Sequence, residues 1–83
     1  MHIKFSPSLD KEIRKIKQKD SKLSKKIEKQ LSLFASSPTH PSLRLHKVAT
    51  DESKAAWSIS ITMSTRMLYV ILDKETAYFF YIG

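Results

Sequence analysis

Three side chains in the second half of the sequence have the right types for phosphate or acid–base chemistry. Arg66 precedes the apolar run "MLYVIL", and Arg44 and His46 alternate with leucines in "LRLHKV". A guanidinium is a planar fork that can donate two hydrogen bonds to one phosphate, and a histidine titrates near neutral pH. These residues could therefore bind an anion and transfer a proton, provided that the fold brings them together.

The same residues also have ordinary structural interpretations. Arg66 could anchor the end of a strand by pairing with Asp73 or Glu75, since arginine often forms surface ion pairs. A histidine such as His46, taken alone, is more often a surface residue than a proton donor or acceptor. Both interpretations stay open until the elements that position these side chains are considered.

Composition limits the classes of protein to which the chain can belong. Its 83 residues fit one domain, residues 1–83, with a small core. The absence of cysteine excludes disulfides and thiolate chemistry, and the cytoplasm is the expected compartment. No signal peptide, membrane span or cofactor is expected. A metal site built from His2, His40 and His46 is not expected either, because their spacing does not suit ligation.

Positive charge is concentrated in the first third of the chain. The net charge is +7, and residues 1–30 hold ten Lys or Arg against four Asp or Glu, whereas residues 31–83 hold five against four. Clustered lysine and arginine favour binding to phosphate backbones and to acidic proteins. The charge distribution therefore predicts a polyanionic or strongly acidic partner.

Hydrophobic periodicity predicts one strand and two helices in the basic part of the chain. "MHIKF" alternates as a strand does, the Ser6–Pro7 pair is typical of a helix start, and Asp20 can begin a second helix. The apolar positions of the two helices recur every three or four residues: Leu9, Ile13, Ile16, Leu23, Ile27, Leu31 and Phe34. The sequence thus predicts a basic helical hairpin after the first strand.

Alternation then predicts strands in residues 43–48, 57–62, 66–72 and 77–82. The element order βααββββ indicates an α+β fold, in which a four-stranded antiparallel run forms one small sheet with both helices on one face. The opposite face would be cationic and lined by hydroxyls, although solvent-facing serines on a strand are also ordinary. Its predicted side chains are Arg44, His46, Ser58, Ser60 and Arg66.

Four segments in this order resemble the RelE/ParE superfamily of bacterial type II toxins. They are "HPSLRLHKV", "AAWSISI", "TRMLYVI" and "AYFFYIG", and they follow the basic helical hairpin. The resemblance extends from the first strand to Gly83, and it depends on order and spacing because no segment is diagnostic alone. Within the superfamily, the chain is most similar to the ribosome-dependent mRNA endonucleases of the RelE, YoeB and YafQ kind.

The resemblance implies a function and a set of site residues. Such toxins cut mRNA in the ribosomal A site without a metal, through attack of a ribose 2′-hydroxyl on the adjacent phosphodiester. Arg66 would stabilise the growing phosphate charge, Lys47 would add charge at the same phosphate, and His46 would transfer a proton. The implied RNA-binding residues are Arg44, His40 and Lys54. His40, in a turn, is expected to position backbone or RNA.

The resemblance also implies partners. These are mRNA, the ribosome and a cognate antitoxin, whose acidic and partly disordered segment would cover the basic surface. DNA would be contacted only through the antitoxin, and no membrane is involved.

The chain departs from the family in two places, which leaves alternatives open. Arg44 stands where some members carry a glutamate base, for which Glu52 could substitute. Related toxins also continue beyond the equivalent of Gly83 with a tail whose histidine and tyrosine support the acid step. We therefore expect an inactive or weakened nuclease, which is either truncated or built on a different catalytic set. The alternatives are a ParE-like inhibitor of gyrase and a non-catalytic RNA-binding module.

Overall fold

The computed structural model describes residues 1–48 and 55–83. It contains the predicted elements in the predicted order, with a short 3₁₀ helix before the second strand. The elements are β1 (His2–Phe5), α1 (Pro7–Lys19), α2 (Ser21–Ser36), the 3₁₀ helix (Pro41–Leu43), β2 (His46–Val48), β3 (Ala56–Ser60), β4 (Arg66–Asp73) and β5 (Thr76–Ile82).

All five strands form one sheet in the order β1–β5–β4–β3–β2. Successive strands from β2 to β5 pair antiparallel, as predicted. Strand β1 lies at the other edge and pairs parallel to β5. The α+β prediction is therefore confirmed, and the sheet is mixed. No helix in the described part of the chain is both long and apolar enough to cross a bilayer.

The helical hairpin turns at a single residue, Asp20. Its backbone N–H donates to the Ile16 carbonyl at 2.8 Å, which ends α1, and its carboxylate accepts from the Leu23 N–H at 3.1 Å, which begins α2. At the start of α1, the Ser6 hydroxyl accepts from the Leu9 N–H ahead of the helical proline. These caps satisfy orphan backbone groups and fix where the two helices begin.

An aromatic row crosses the sheet on the side that the helices cover. Phe5, Phe79, Tyr69 and Trp57 are successive cross-strand partners on β1, β5, β4 and β3. The fully buried Phe34 of α2 lies edge-on to Tyr69 and Phe79, with ring centroids 4.9 and 5.3 Å apart. We call these five side chains the aromatic core.

The strand predicted over residues 43–48 is shorter in the structure. Leu43 is fully buried, but it belongs to the 3₁₀ helix, and Arg44 has a φ of 47°, in the left-handed region. Pro41 suits the start of a helical turn, and the Arg44 N–H donates to its carbonyl at 3.1 Å. Leucine alternation here results from a turn that buries Leu43, so regular strand begins only at His46.

Truncating the centre of the aromatic core should strongly destabilise the protein. We expect Phe34→Ala to lower the free energy of unfolding by about 3–5 kcal/mol, because it leaves a cavity between two rings. Urea denaturation followed by circular dichroism measures this value. The matched control is Phe80→Ala, since Phe80 is 37% exposed. Equal losses in the two variants would contradict the assignment of Phe34 to the core.

Stability should also fall at alkaline pH because burial raises the pKa of the Tyr69 phenol. The unfolded chain then loses this proton at a lower pH than the folded chain. The protonated Tyr69 phenol makes its full contribution to the free energy of unfolding below the ordinary tyrosine pKa. This contribution is lost as the pH rises through the raised pKa of Tyr69. We expect urea midpoints between pH 8 and pH 11 to fall less in Tyr69→Phe than in the unmodified protein. Tyr78→Phe, at a less buried position, should behave like the unmodified protein.

Candidate functional site

The guanidinium of Arg66 is held in place by three hydrogen bonds on the uncovered face of the sheet. Its Nε donates to the Ser58 hydroxyl at 2.8 Å, and its Nη2 donates to the carbonyls of Arg44 at 2.6 Å and Ser58 at 3.2 Å. Ser58 is only 3% exposed. Within the described residues, Nη1 makes no hydrogen bond. It is therefore the donor that remains for a ligand.

No described carboxylate neutralises Arg66. Across residues 1–48 and 55–83, the only ion pair joins Arg14 to Asp10 at 3.1 Å. Asp73 lies at the far end of β4 and organises the turn into β5, where its carboxylate accepts from the Glu75 N–H at 2.9 Å. Hydrogen bonds from Glu75 and then Thr76 lower the pKa of Asp73. The interpretation of Arg66 as a strand anchor paired with Asp73 or Glu75 is therefore wrong.

Strand register brings His46 to the same face as Arg66. His46, Ser58, Leu68 and Tyr81 are successive cross-strand partners on β2, β3, β4 and β5. Side chains in such a row project from one face of the sheet. Because Arg66 reaches to Ser58, its guanidinium lies next to the position of His46. We call Arg66, Ser58 and His46 the arginine site.

The register separates Lys47 from the arginine site. Lys47 is the partner of Trp57, which belongs to the aromatic core, so its position projects from the helix-covered face. Successive residues of a strand point to opposite faces, and His46 and Lys47 are adjacent. The structure therefore does not bring Lys47 to the phosphate position that the family resemblance implies for it.

The predicted RNA-binding residues have different surroundings. Arg44 is exposed, and its carbonyl accepts from Arg66. The His40 Nδ1 accepts from the Ser42 N–H at 3.1 Å, so His40 positions the backbone of the 3₁₀ helix. Lys54, like the possible substitute base Glu52, lies outside the described residues.

Tyr81 is a member of this surface that sequence reasoning missed. It is 53% exposed, and its ring lies over Gly83, where an added Cβ would overlap the phenol. The backbone of Gly83 is hydrogen-bonded to that of Arg66 in both directions, at 3.0 Å each way. The phenol is therefore close to the strand position opposite Arg66. Tyr81 precedes Gly83 by two residues at the end of β5, and this spacing indicates that the two positions share a face but not which face it is.

A β-bulge gives Tyr81 this orientation. Leu68 pairs with Tyr81 while the next residue, Tyr69, pairs with Phe79, so Phe80 is the extra residue. Without the bulge, alternation would place Tyr81 on the helix-covered face. Bulges often redirect a side chain beside a functional site.

No metal site is found in residues 1–48 and 55–83, because no three His, Asp or Glu side chains there are close enough to hold an ion. The arrangement instead offers a fixed cation, an imidazole and a phenol on one open surface.

Comparison with known proteins identifies the fold. Neither the protein-family models nor the curated proteins that were searched match this chain. Solved structures do match. The YoeB/ParE toxin from Agrobacterium tumefaciens is 16% identical, with a TM-score of 0.80 over 99% of this chain and 95% of that chain.

Two further structures are similar to the chain. YoeB in the YoeB–YefM toxin–antitoxin complex from Staphylococcus aureus is 21% identical, with a TM-score of 0.76 over 95% of this chain and 90% of that one. YafQ from Escherichia coli BL21(DE3) is 15% identical, with a TM-score of 0.67 over 98% and 89%. The chain has the YoeB/YafQ-like toxin fold. On that fold, the arginine site lies on the sheet face opposite the helical hairpin.

Removing the hydroxyl that holds Arg66 should loosen the arginine site of this YoeB/YafQ-like fold. We expect Ser58→Ala to lower the free energy of unfolding by about 1–2 kcal/mol, because the Arg66 Nε loses its buried acceptor. The Nε proton of Arg66 should also exchange faster with water in NMR spectra. Ser32→Ala, at an exposed position of α2, is the matched control and should change neither measurement.

Proposed function

We propose that this protein is the toxin of a type II toxin–antitoxin system and that it cleaves mRNA on the ribosome. The observation that carries the proposal is the immobilised guanidinium of Arg66 beside His46 on an uncovered sheet face. The YoeB/YafQ-like fold supports it, since those neighbours are toxins by name and one was solved with its antitoxin YefM.

Arg66 would stabilise the pentacovalent phosphorane. When a ribose 2′-oxygen attacks the adjacent phosphorus, negative charge grows on the non-bridging oxygens. The Arg66 Nη1, which makes no hydrogen bond within residues 1–48 and 55–83, and the guanidinium charge, which no carboxylate of those residues pairs, favour that state over the starting diester. Ser58 and the Arg44 carbonyl hold the guanidinium beforehand, so little reorganisation accompanies the reaction.

His46 is the proposed group for proton transfer. The new bond joins the 2′-oxygen to phosphorus, and the broken bond releases the 5′-oxygen of the next nucleotide. The 2′-hydroxyl therefore loses a proton and the 5′-oxygen gains one, which leaves a 2′,3′-cyclic phosphate and a 5′-hydroxyl. The imidazole of His46 is exposed on the same face as Arg66 and can serve either transfer.

The shape of the surface favours a need for the ribosome. Arg66 and His46 line none of the three cavities described for this structure, and the side chains of His46 and Tyr81 are exposed, so the arginine site presents an open face. An open surface cannot by itself hold a flexible RNA strand in the in-line geometry that the attack requires. A ribosome that already fixes the mRNA would supply that geometry, and the exposed ring of Tyr81 could stack on a base.

The proposed antitoxin is an acidic protein with a partly disordered segment. Ten basic residues in residues 1–30 give it an electrostatic target, and folding on binding lets such a segment cover a large surface. We place the protein in the cytoplasm, where mRNA, ribosomes and the antitoxin are present, and we assign DNA contact only to the antitoxin.

A ParE-like inhibitor of gyrase is the second candidate. The observation that favours it is the similarity in fold to the Agrobacterium tumefaciens protein, which is named as a YoeB/ParE toxin. That function would not require the imidazole and guanidinium to share one face.

Loss of the guanidinium should abolish mRNA cleavage. In a bacterial translation extract, primer extension should detect A-site cuts with the unmodified protein and at least about 100-fold fewer with Arg66→Ala, because transition-state stabilisation is lost. Arg14→Ala, on the exposed surface of α1, should cut normally. Cuts that persist in Arg66→Ala would refute the proposed role. Absent cuts together with gyrase-dependent DNA breaks would favour the second candidate.

A further inference from the structure

A polar cavity of about 270 Å³ opens between α2, the 3₁₀ helix and the connection from β3 to β4. Its basic side chains are Lys26, Lys29 and Arg44, and of the described residues that line it none is acidic. The described part of the chain also contains no ion pair to any of these three. Three cations thus surround one small opening, and no carboxylate among the described residues pairs with them.

The walls of this cavity are fixed by one buried amide. The Gln30 Nε2 donates to the Ser60 carbonyl at 2.8 Å and is 3.4 Å from the Ser42 carbonyl. Gln30 is 9% exposed and joins α2 to both other walls. The opening is therefore a built feature of the fold rather than a gap between mobile side chains.

Hydrogen bonding in the cavity favours an anion. The Thr62 Oγ1 accepts from the N–H groups of Ser64 at 3.2 Å and Thr65 at 3.0 Å, so its own proton can be donated, either to the Ser64 Oγ at 3.5 Å or to a ligand. Together with two ammonium groups and a guanidinium, this hydroxyl makes a set of donors. A phosphate oxygen is the acceptor that such a set suits best.

The backbone of the cavity is unsuited to an extended peptide. The N–H groups of Ile61 and Thr62 both donate to the Thr65 carbonyl, and the Ser60 carbonyl is occupied by Gln30. A strand added to this segment would find these groups already paired. The cavity therefore fits a ligand recognised by charge and hydroxyl contacts, and a nucleic-acid backbone has that chemistry.

The cavity lies at the same end of the sheet as the arginine site. Ser60 is the cross-strand partner of Arg66, and Arg44 both lines the cavity and accepts from Arg66 through its carbonyl. A neighbouring cavity shares Lys26 and adds Lys22, four residues earlier on the same face of α2. Its Asp20 carboxylate is engaged in the helix cap. Positive charge thus continues from Arg66 along α2.

We infer that this cavity binds a backbone phosphate of RNA, at a subsite separate from the phosphate that reacts at Arg66. The inference rests on the proposed function, because it assigns the continuation of the same RNA or of neighbouring ribosomal RNA to α2. The subsite would orient the strand and would contribute to binding in the absence of cleavage.

The test compares two charge-matched double variants of the full chain. Lys26→Gln/Lys29→Gln removes the lysines of the cavity, and Lys15→Gln/Lys25→Gln removes two exposed lysines that line none of the cavities described. Inorganic phosphate titrated into the ¹⁵N-labelled unmodified protein should shift the backbone signals of Gln30, Ile61 and Thr62. The first double variant should lose these shifts, and the second should keep them.

Fluorescence anisotropy with a 2′-O-methyl RNA, which keeps the phosphates but cannot be cleaved, gives the second readout. We expect about tenfold weaker binding for the cavity variant, and a salt dependence whose slope is lower by about 0.7 for each phosphate that the variant no longer neutralises. Equal weakening in both double variants would show diffuse attraction and would overturn the inference. Signals that respond to a glutamate-rich peptide but not to phosphate would assign the cavity to an acidic protein and would also overturn it.

These readouts are independent of catalysis. If the unmodified protein cuts no mRNA in the translation extract, the proposed function fails whatever the cavity binds. If cleavage depends on Arg66 but phosphate shifts no signal of the cavity, the inference alone fails.

Discussion

The packing of Phe34 against the aromatic row of the sheet is the constraint on which the rest of the structure depends. A one-residue slip of β4 or β5 would move the ring of Tyr69 or Phe79 to the solvent side, and Phe34 would lose a ring that it contacts. Burial of these rings therefore fixes the register of the sheet. Since alternation links the two faces, the same burial also decides which side chains project from the uncovered face.

The uncovered face carries its chemistry because the helices leave it exposed and because no ion pair within residues 1–48 and 55–83 engages its charges. The guanidinium of Arg66 is desolvated on one side by Ser58, and it is bound by neutral acceptors rather than by a carboxylate. Neutral acceptors orient the group without cancelling its charge. That combination suits a role at a phosphate better than an ion pair would.

Much of this arrangement was predictable from the sequence, since element order and the uncovered face follow from periodicity. The sequence could also have shown that Lys47 lies on the face opposite His46, because adjacent residues of a strand cannot both face Arg66. Other features depend on tertiary contacts. The buried position of Leu43 makes a 3₁₀ turn imitate a strand, the parallel pairing of β1 leaves no local signal, and the bulge at Phe80 redirects Tyr81 without any glycine or proline to mark it.

The hydrogen bond from Arg66 to the Arg44 carbonyl spans from the central strand to the segment that leads into β2. Strand β2 spans three of the described residues and lies at an edge, so it gains little stability of its own. There, the Arg66 guanidinium links β4 to the segment that precedes β2. Local opening of the edge strand β2 and release of the guanidinium are therefore one coupled equilibrium. Its free energy sets the fraction of molecules that are ready to bind, separately from the global stability of the fold.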